Sequence, residues 1–447
     1  MVKLTGTFSK LQKINALVIG DFMLDRYTYG DINRISPEAP VSVLKVADEK
    51  MQPGGAGNVV LNLLSLGSNV TAIGRVGDDI EGEILLKILK QKKASVENIF
   101  IQKNYKTPLK NRYIAANQQI LRVDFENVIS LDDDLEKKII KKIPEILSAV
   151  QVVAISDYAK GFLSDRLIRF VIDAAKKRNV PVIIDPKGND FNKYKFADII
   201  KPNLKEAYAA AKLGEKEDLD KVAKIILKKT KISNLLITRS QHGISLFSED
   251  NKRKDFPVSS KEVKDVTGAG DTVLAMLCIA VANKLELEHA CQLSNIAASI
   301  AIEHIGCHQI TLNEFAKRLL EHDIENKIFD FSHLFALKKV LENKKFSLLA
   351  LSSRPGLNTA VFRAIKNLSV DQSVIIYILD PKPDDDFVEL LSSLNEVDFI
   401  ILKNENLNDL LNEIIPEHIY VMKKDKPLKL KNHKDLVLEK FNEPALN

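Results

Sequence analysis

Short apolar runs recur along the first two thirds of the chain, and each stops at a small or polar residue. Ala16-Leu17-Val18-Ile19 runs into Gly20-Asp21, Val152 to Ile155 into Ser156-Asp157, Val182 to Ile184 into Asp185, Ile199-Ile200 into Lys201, and Leu235 to Ile237 into Thr238-Arg239. Runs this short, apolar on both faces, predict buried strands. Helical stretches fall between them, among them Val59 to Leu66 and Glu81 to Gln91. Strands alternating with helices predict a mainly parallel α/β sheet, whose carboxyl edge is where ligands bind. Two pieces break the pattern. Val41 to Val46 alternates like a half-exposed strand, and residues 110–115 and 118–125 predict an antiparallel pair around a short turn. Beyond Leu312 the rhythm changes. A connector helix, Leu312 to Glu325, leads to strand-like runs at Phe346–Leu351, Val374–Leu379, Phe399–Leu402 and Ile419–Met422. Two domains follow, residues 1–320 and a smaller α/β unit at 326–447.

With 447 residues, 45% hydrophobic and 28% charged, the chain has the composition of a soluble protein, and its length suits two domains. The net charge of +5 is small and its basic residues are scattered, which gives no case for nucleic acid or an acidic membrane surface. Cys278, Cys291 and Cys307 lack metal or disulfide spacing, so free thiols are expected. The longest apolar stretch, Val273 to Ala282, is far short of the ~20 residues a bilayer span takes. With no signal peptide expected at the N-terminus, these features predict a cytoplasmic protein.

The chemistry gathers at Asp265-Val266-Thr267-Gly268-Ala269-Gly270-Asp271-Thr272, which opens a long apolar helix. Small residues entering a helix leave backbone N–H groups aimed at one point, and the helix dipole adds positive charge there. Asp271 sets a carboxylate beside that anion site. This suits a base that takes a hydroxyl proton while phosphoryl is transferred to the oxygen. An ordinary helix cap is the plain alternative. A second glycine-rich turn, Gln52-Pro53-Gly54-Gly55-Ala56-Gly57-Asn58, also enters a helix; it allows close backbone approach, with the Asn58 amide next to it.

Carrying these strings, the first ~320 residues resemble a ribokinase-like carbohydrate kinase. Asp265 to Thr272 is similar to that family's second signature and Gly54 to Asn58 to its first. Within it, Gly20 to Tyr27, Arg34 to Val41, Asn117 to Phe125, Ser156 to Gly161 and Asp185 to Gly188 look like the D-glycero-β-D-manno-heptose 7-phosphate kinases of ADP-heptose synthesis, a step toward lipopolysaccharide core. The resemblance implies a ribokinase-like α/β/α sandwich with a small β lid that pairs two subunits into a homodimer. It implies phosphorylation of the anomeric hydroxyl by ATP with Mg²⁺. Asp271 would be the base and Gly268, Ala269 and Gly270 the anion hole. Asp25 and Asn58, with Gly54 and Gly55, would hold the sugar. Asn203 and Glu206 match an N-x-x-E that positions phosphate and, indirectly, Mg²⁺. Thr238, Gly243 and Asn295 would lie along the nucleotide. For the sugar's own phosphate, Arg34, Lys110, Arg112 and Lys187 are the candidate cations.

Relatives with two activities carry a nucleotidyltransferase after the kinase, with the signature F-D-x-x-H-x-G-H. Here Phe329-Asp330-Phe331-Ser332-His333-Leu334-Phe335-Ala336 keeps the first histidine but replaces the glycine by Phe335 and the second histidine by Ala336. Of 18 glycines only Gly356 lies beyond Gly306, which leaves few ways to wrap backbone N–H groups round a phosphate. The second domain is therefore expected to be a degenerate nucleotidyltransferase-like domain with its adenylyltransferase activity lost; an unrelated α/β module and a still-active transferase are the alternatives. His242 and Asp384-Asp385-Asp386 read as solvated turns. His304 and His308, separated by a glycine, need not share a face. A kinase of another sugar phosphate or nucleoside, and a non-catalytic binding protein, remain the alternatives.

Overall fold

The computed structural model describes residues 10–116, 118–248, 252–258, 263–322, 327–329, 344–370, 372–402, 414–423 and 425–430, with Phe8, Leu337, Lys338 and Leu341. It forms two compact units: one spans Leu11–Phe315, and the other groups the residues from Ala316 onward with those before Leu11. In chain order the first holds β1 (Asn15–Gly20), β2 (Phe22–Ile35), β3 (Ser42–Gly55), α1 (Ala56–Ser65), β4 (Asn69–Gly77), α2 (Ile80–Gln91), β5 (Ser95–Gln102), β6 (Leu109–Ala115) and β7 (Gln118–Phe125). It continues through α3 (Asp133–Leu147), β8 (Val152–Ser156), α4 (Asp165–Lys176), β9 (Val182–Asp185), β10 (Ile199–Ile200), α5 (Leu204–Ala211) and α6 (Leu219–Thr230). Then come β11 (Asn234–Thr238), β12 (Ile244–Ser248), β13 (Arg253–Phe256), α7 (Ala269–Ala282), α8 (Leu287–Ala301) and α9 (Leu312–His322), which contains the division.

The main sheet has nine strands in the order β13-β12-β11-β10-β9-β8-β1-β4-β5. It is parallel from β5 to β11, and β12 and β13 return antiparallel. Alternation along each strand sorts the side chains to two faces. Leu17, Ile19, Val153, Ile155, Ile184 and Ile237 pack with the buried stripes of α3 to α6, such as Ile139, Leu167, Val171 and Ile226. On the other face α7 packs on β8, β9 and α1. Helices thus cover both faces, an α/β/α sandwich. α7 is apolar nearly all round, with Asp271 to Ala280 buried, as a central helix must be.

Two buried charges brace the loops at the sheet's carboxyl edge. Arg75 of β4 is fully buried; its guanidinium donates to Gln102 Oε1 (2.7 Å), Ser130 O (3.0 Å), Lys160 O (2.9 Å) and Ile129 O, and lies over the Tyr105 ring. Asp21, directly after β1, accepts the N–H groups of Tyr158 (2.9 Å), Lys160 (3.1 Å) and Phe162 (3.3 Å). Burying such groups is costly unless most of their hydrogen bonds are made, and together these bonds fix the course of residues 158–162.

A separate four-stranded sheet, β3-β2-β6-β7, forms the lid. Its hairpin β6–β7 falls where the alternation predicts. The other pair goes beyond the single strand expected at Val41–Val46: β2, not among the expected strands, carries 14 residues through the polar stretch Asp31–Ile35, and β3 runs from Ser42 to Gly55. Beyond Tyr29 the pair is largely exposed, so pairing rather than burial sustains it. α1 likewise starts three residues ahead of Val59, immediately after Gly55, whose φ of 56° and closeness to Asp21 O leave no room for a side chain.

The second unit holds β14 (Ile328–Phe329), β15 (Phe346–Leu351), α10 (Thr359–Leu368), β16 (Ser373–Ile378), α11 (Asp385–Ser393), β17 (Phe399–Leu402), β18 (His418–Lys423) and β19 (Lys426–Lys429). They form a sheet in the order β14-β17-β16-β15-β18-β19, parallel except for β19. Leu349, Ile365, Ile376, Phe387 and Leu391 centre its core. At its carboxyl edge Asp380 accepts both serine hydroxyls of Ser352 (2.9 Å) and Ser353 (3.0 Å). Asp330 to Ala336, with His333 and Phe335, lie outside the described residues. Among those described, no helix is long and apolar enough to cross a membrane.

Candidate active site

Asp271 sits in the first turn of α7, 3% exposed. Gly268 caps this helix with φ 78°, and a Cβ there would stand 2.7 Å from Asn58 Nδ2 and 3.2 Å from Cys307 Sγ. The glycine is thus required by both conformation and space. Gly270 and Asp271 lie where a helix offers no intrahelical acceptor for their N–H groups, while the Ala269 N–H donates to Val266 O at 3.3 Å.

The carboxylate has two donors. Asn58 Nδ2 donates to Oδ2 (2.9 Å) and the Tyr158 hydroxyl to Oδ1 (2.8 Å). Burial pushes Asp271 up to about 7; the nearby Asp185 pushes the same way, while Asn58, Tyr158 and Lys201 oppose. A carboxyl group titrating near neutrality is matched to general-base work. Asn58 is itself oriented by Asn62, whose Nδ2 donates to its carbonyl (3.0 Å) and side-chain oxygen (3.2 Å), so its amide faces the base.

On one side of Asp271 lies a cavity of about 430 Å³. Asn203, Glu206, Thr238, Gly243 and Asn295, all expected along a nucleotide, line it together with Ala269 and Gly270. Apolar Val258, Val266, Val273 and Ile302 supply a wall suited to a flat base. Several of these residues also hold the fold. Asn203 and Glu206 make a capping box on α5: Glu206 N–H donates to Asn203 Oδ1 (2.9 Å) and Asn203 N–H to Glu206 Oε2 (3.0 Å). Asn295 Nδ2 donates to Phe256 O (2.7 Å), and a Cβ on Gly243 (φ 75°) would collide with that same carbonyl.

Through Cys307, which lies against the Gly268 position and 3.7 Å from Asp25 Oδ2, the base of the lid brings in a polar cluster. Arg112 Nη1 pairs with Asp25 Oδ1 at 2.7 Å, both nearly buried. Gly54 lies so close that a Cβ would strike Asp25 Oδ2. Lys110 Nζ stands 5.5 Å from the centre of the Tyr158 ring, and burial draws its pKa down.

Two expected cations do not join this cluster. Lys187 lines the nucleotide-side cavity and pairs with Glu206 Oε1 at 2.7 Å, because it follows β9 at the same sheet edge as Asn203. Arg34 lies exposed toward the far end of β2, nine residues from Asp25, a path of about 30 Å at ~3.3 Å per residue.

The motifs left three participants without a role. Lys201 directly follows β10 and pairs with Asp185 Oδ2 at 2.9 Å; its ammonium stands 3.7 Å from where a Cβ on Gly270 would be, beside the amide cluster. Asp185, which ends β9, is pushed up by burial although Lys201 draws it down. Tyr158 is the third. The signal that would have found Lys201 and Asp185 is their place as the first polar residue after an apolar strand. Tyr158 becomes legible only once β8 is set beside α7.

A family model described as pfkB family carbohydrate kinase matches residues 13–314. The bifunctional protein HldE of Campylobacter fetus is 38% identical over 409 residues, covering 88% of this chain and 88% of that protein. HldE of Aliarcobacter butzleri is 35% identical over 430 residues, covering 92% and 90%. Among solved structures, Arabidopsis thaliana ribokinase complexed with ribose and ATP superposes with a TM-score of 0.55 at 20% identity, over 69% of this chain and 99% of that one. Phosphofructokinase-2 of Escherichia coli gives 0.56 at 20%, over 69% and 99%. The buried aspartate at the glycine-capped helix, the adjoining cavity and these matches lead to one conclusion: the chain belongs to the pfkB family of carbohydrate kinases.

Proposed function

We propose that this kinase transfers the γ-phosphoryl group of ATP to the anomeric hydroxyl of D-glycero-β-D-manno-heptose 7-phosphate, giving the 1,7-bisphosphate for ADP-heptose synthesis. The observation that carries the reading is Asp271, a buried carboxylate held by Asn58 and Tyr158 directly after Ala269 and Gly270, which line the cavity. In the transfer, the hydroxyl proton passes to Asp271 as its oxygen bonds the γ-phosphorus and the bond to the β–γ bridging oxygen breaks, releasing ADP. The Gly270 and Asp271 N–H groups and Lys201 hold charge on the transferring group. Asp25 accepts from sugar hydroxyls, and Arg112 and Lys110 receive the 7-phosphate. The heptose is chosen by the strings Gly20–Tyr27, Arg34–Val41 and Ser156–Gly161, and the relatives named HldE agree.

ATP brings a divalent ion, Mg²⁺. Glu206 and Asp185, carboxylates facing the cavity, are the hard oxygen donors it prefers, and they would hold it or its waters. The exposed apolar residues of the lid, Ile35, Ile120, Leu121 and Phe125, support pairing of two lids in a homodimer. The second unit fits a nucleotidyltransferase that has lost its activity: its motif departs at Phe335 and Ala336, and beyond Gly306 the sequence has a single glycine, Gly356.

A panel of sugar phosphates and nucleosides with coupled ADP detection, followed by phosphorus NMR of the product, tests the kinase. Phosphorylation of heptose 7-phosphate at C1 is expected; preference for another acceptor would overturn the substrate. Pyrophosphate release from heptose 1-phosphate and ATP would overturn the loss of the second activity.

A further inference from the structure

The loop that follows α8 carries two histidines, and it folds so that they meet. Gly306 has φ 82°, and the turn His308 N–H to Gly306 O (2.9 Å) reverses the chain there. The sequence separation across a glycine gave no reason to place His304 and His308 on one side, yet their rings stack with centroids 3.8 Å apart and planes 27° apart. Glu314, in the first turn of α9, completes the group: its Oε1 is 3.0 Å from His308 Nε2. The carboxylate is anchored, since Oε2 accepts the Thr311 N–H (2.8 Å) and hydroxyl (2.7 Å). One ligand atom from each residue lies within 4.8 Å of the others, and all three residues are half-exposed.

We propose that His304, His308 and Glu314 form a binding site for a first-row transition metal ion of zinc's chemistry. Two imidazoles and a carboxylate are a ligand set that Zn²⁺ accepts in tetrahedral sites, with water in the fourth position. Ligands at ~2.0–2.1 Å from such an ion stand about 3.4 Å apart, so binding draws the three groups together and turns the stacked rings until their nitrogens converge. Imidazole donors disfavour Mg²⁺, so the site is chemically separate from the ion that accompanies ATP.

The place of the loop gives the site a purpose. Ile302 O accepts the N–H groups of Lys264 (2.8 Å) and Asp265 (3.2 Å), and Gly306 N–H donates to Asp265 Oδ2 (2.9 Å). Asp265 Oδ1 in turn accepts the Thr267 N–H and hydroxyl, one residue before the Gly268 cap. Cys307, between the two histidines, lies against the Gly268 position and 3.7 Å from Asp25 Oδ2. An ion joining this loop to α9 therefore braces the turn that leads into the anion-binding head of α7.

The test is equilibrium dialysis of chelator-treated full-length protein against Zn²⁺ in millimolar Mg²⁺ without nucleotide, with Co²⁺ absorption to report coordination geometry. One Zn²⁺ per chain is expected, with a tetrahedral Co²⁺ spectrum and a raised melting temperature on Zn²⁺ addition. His304→Gln and His308→Gln keep size and polarity, and each should weaken binding at least tenfold while the metal-free melting temperature stays put. The double substitution should abolish both the uptake and the melting shift. Absence of stoichiometric uptake, or equal uptake by the double variant, would overturn the site and leave an ordinary His–Glu contact.

Discussion

Replacing Asp271 by Asn separates what this carboxylate does for chemistry from what it costs the fold. Asn is nearly isosteric: its carbonyl can accept from Asn58 while its NH₂ donates to the Tyr158 oxygen, since a hydroxyl can turn and accept. Folded, Asp271 titrates at about 7 instead of 3.8. The sign follows from linkage. Below 3.8 the group is protonated in both states; between 3.8 and about 7 only the unfolded chain ionises; so wild-type stability falls as pH rises through that window. At 1.36 kcal/mol per unit the whole window is worth about 4 kcal/mol, of which about 3 kcal/mol falls between pH 5 and pH 8. The variant lacks this dependence. Loss of the neighbouring charge also lets Asp185 ionise more easily, which acts in the same direction. Urea unfolding of both proteins at pH 5 and pH 8, following the kinase unit, should thus show the variant gaining on the wild type by about 3 kcal/mol at the higher pH, whatever constant offset the substitution brings. In the coupled assay the same variant should lose about 10²–10⁴ in kcat and still bind ATP. An equal stability difference at both pH values would refute the buried ionising carboxylate, and turnover within a few-fold of wild type would refute the base.

Other substitutions probe its neighbours. Tyr158→Phe removes a hydrogen bond to the charged form of Asp271, so the acid limb of the kcat/KM profile should move up by about one unit and the rate should recover at high pH; a pH-independent loss would contradict this. Gly268→Ala demands a side chain at φ 78° and 2.7 Å from Asn58 Nδ2, and should cost about 1–3 kcal/mol in urea unfolding along with most activity. Arg112→Met leaves Asp25 buried without its partner; KM for the sugar phosphate should rise at least tenfold with KM for ATP unchanged, as initial-rate kinetics would show.

Burial decided what could be read in advance. The central strands were legible because β1, β8, β9 and β11 are apolar on both faces, a pattern few other elements produce. β2 was not: its outer residues Asp31, Asn33 and Arg34 carry no burial signal, and the strand exists there because β3 pairs with it. α7 was legible from Thr272 on, but its first turn begins at Ala269, where glycine and alanine are silent in a hydrophobicity pattern. In the site, Asp271 could be named because a local motif surrounds it. Lys201 acts from just after β10 and Tyr158 from the loop after β8, and their convergence on α7 depends on strand order. Lys187 shows the opposite error. Its charge suggested a receiver for the sugar's phosphate, while its position after β9 pairs it with Glu206.

The capping box on α5 bears on how variants of this enzyme should be interpreted. Asn203 and Glu206 face the nucleotide cavity and also satisfy each other's backbone at the head of a helix. An inactive protein with either residue changed would therefore confound a ligand contact with a frayed helix. The same double duty narrows which replacements natural drift can tolerate there, even in a descendant that had stopped using ATP. Persistence of this pair in a homologue is thus weak testimony to retained catalysis, whereas Asp271, whose ionisation weakens the fold, is strong testimony.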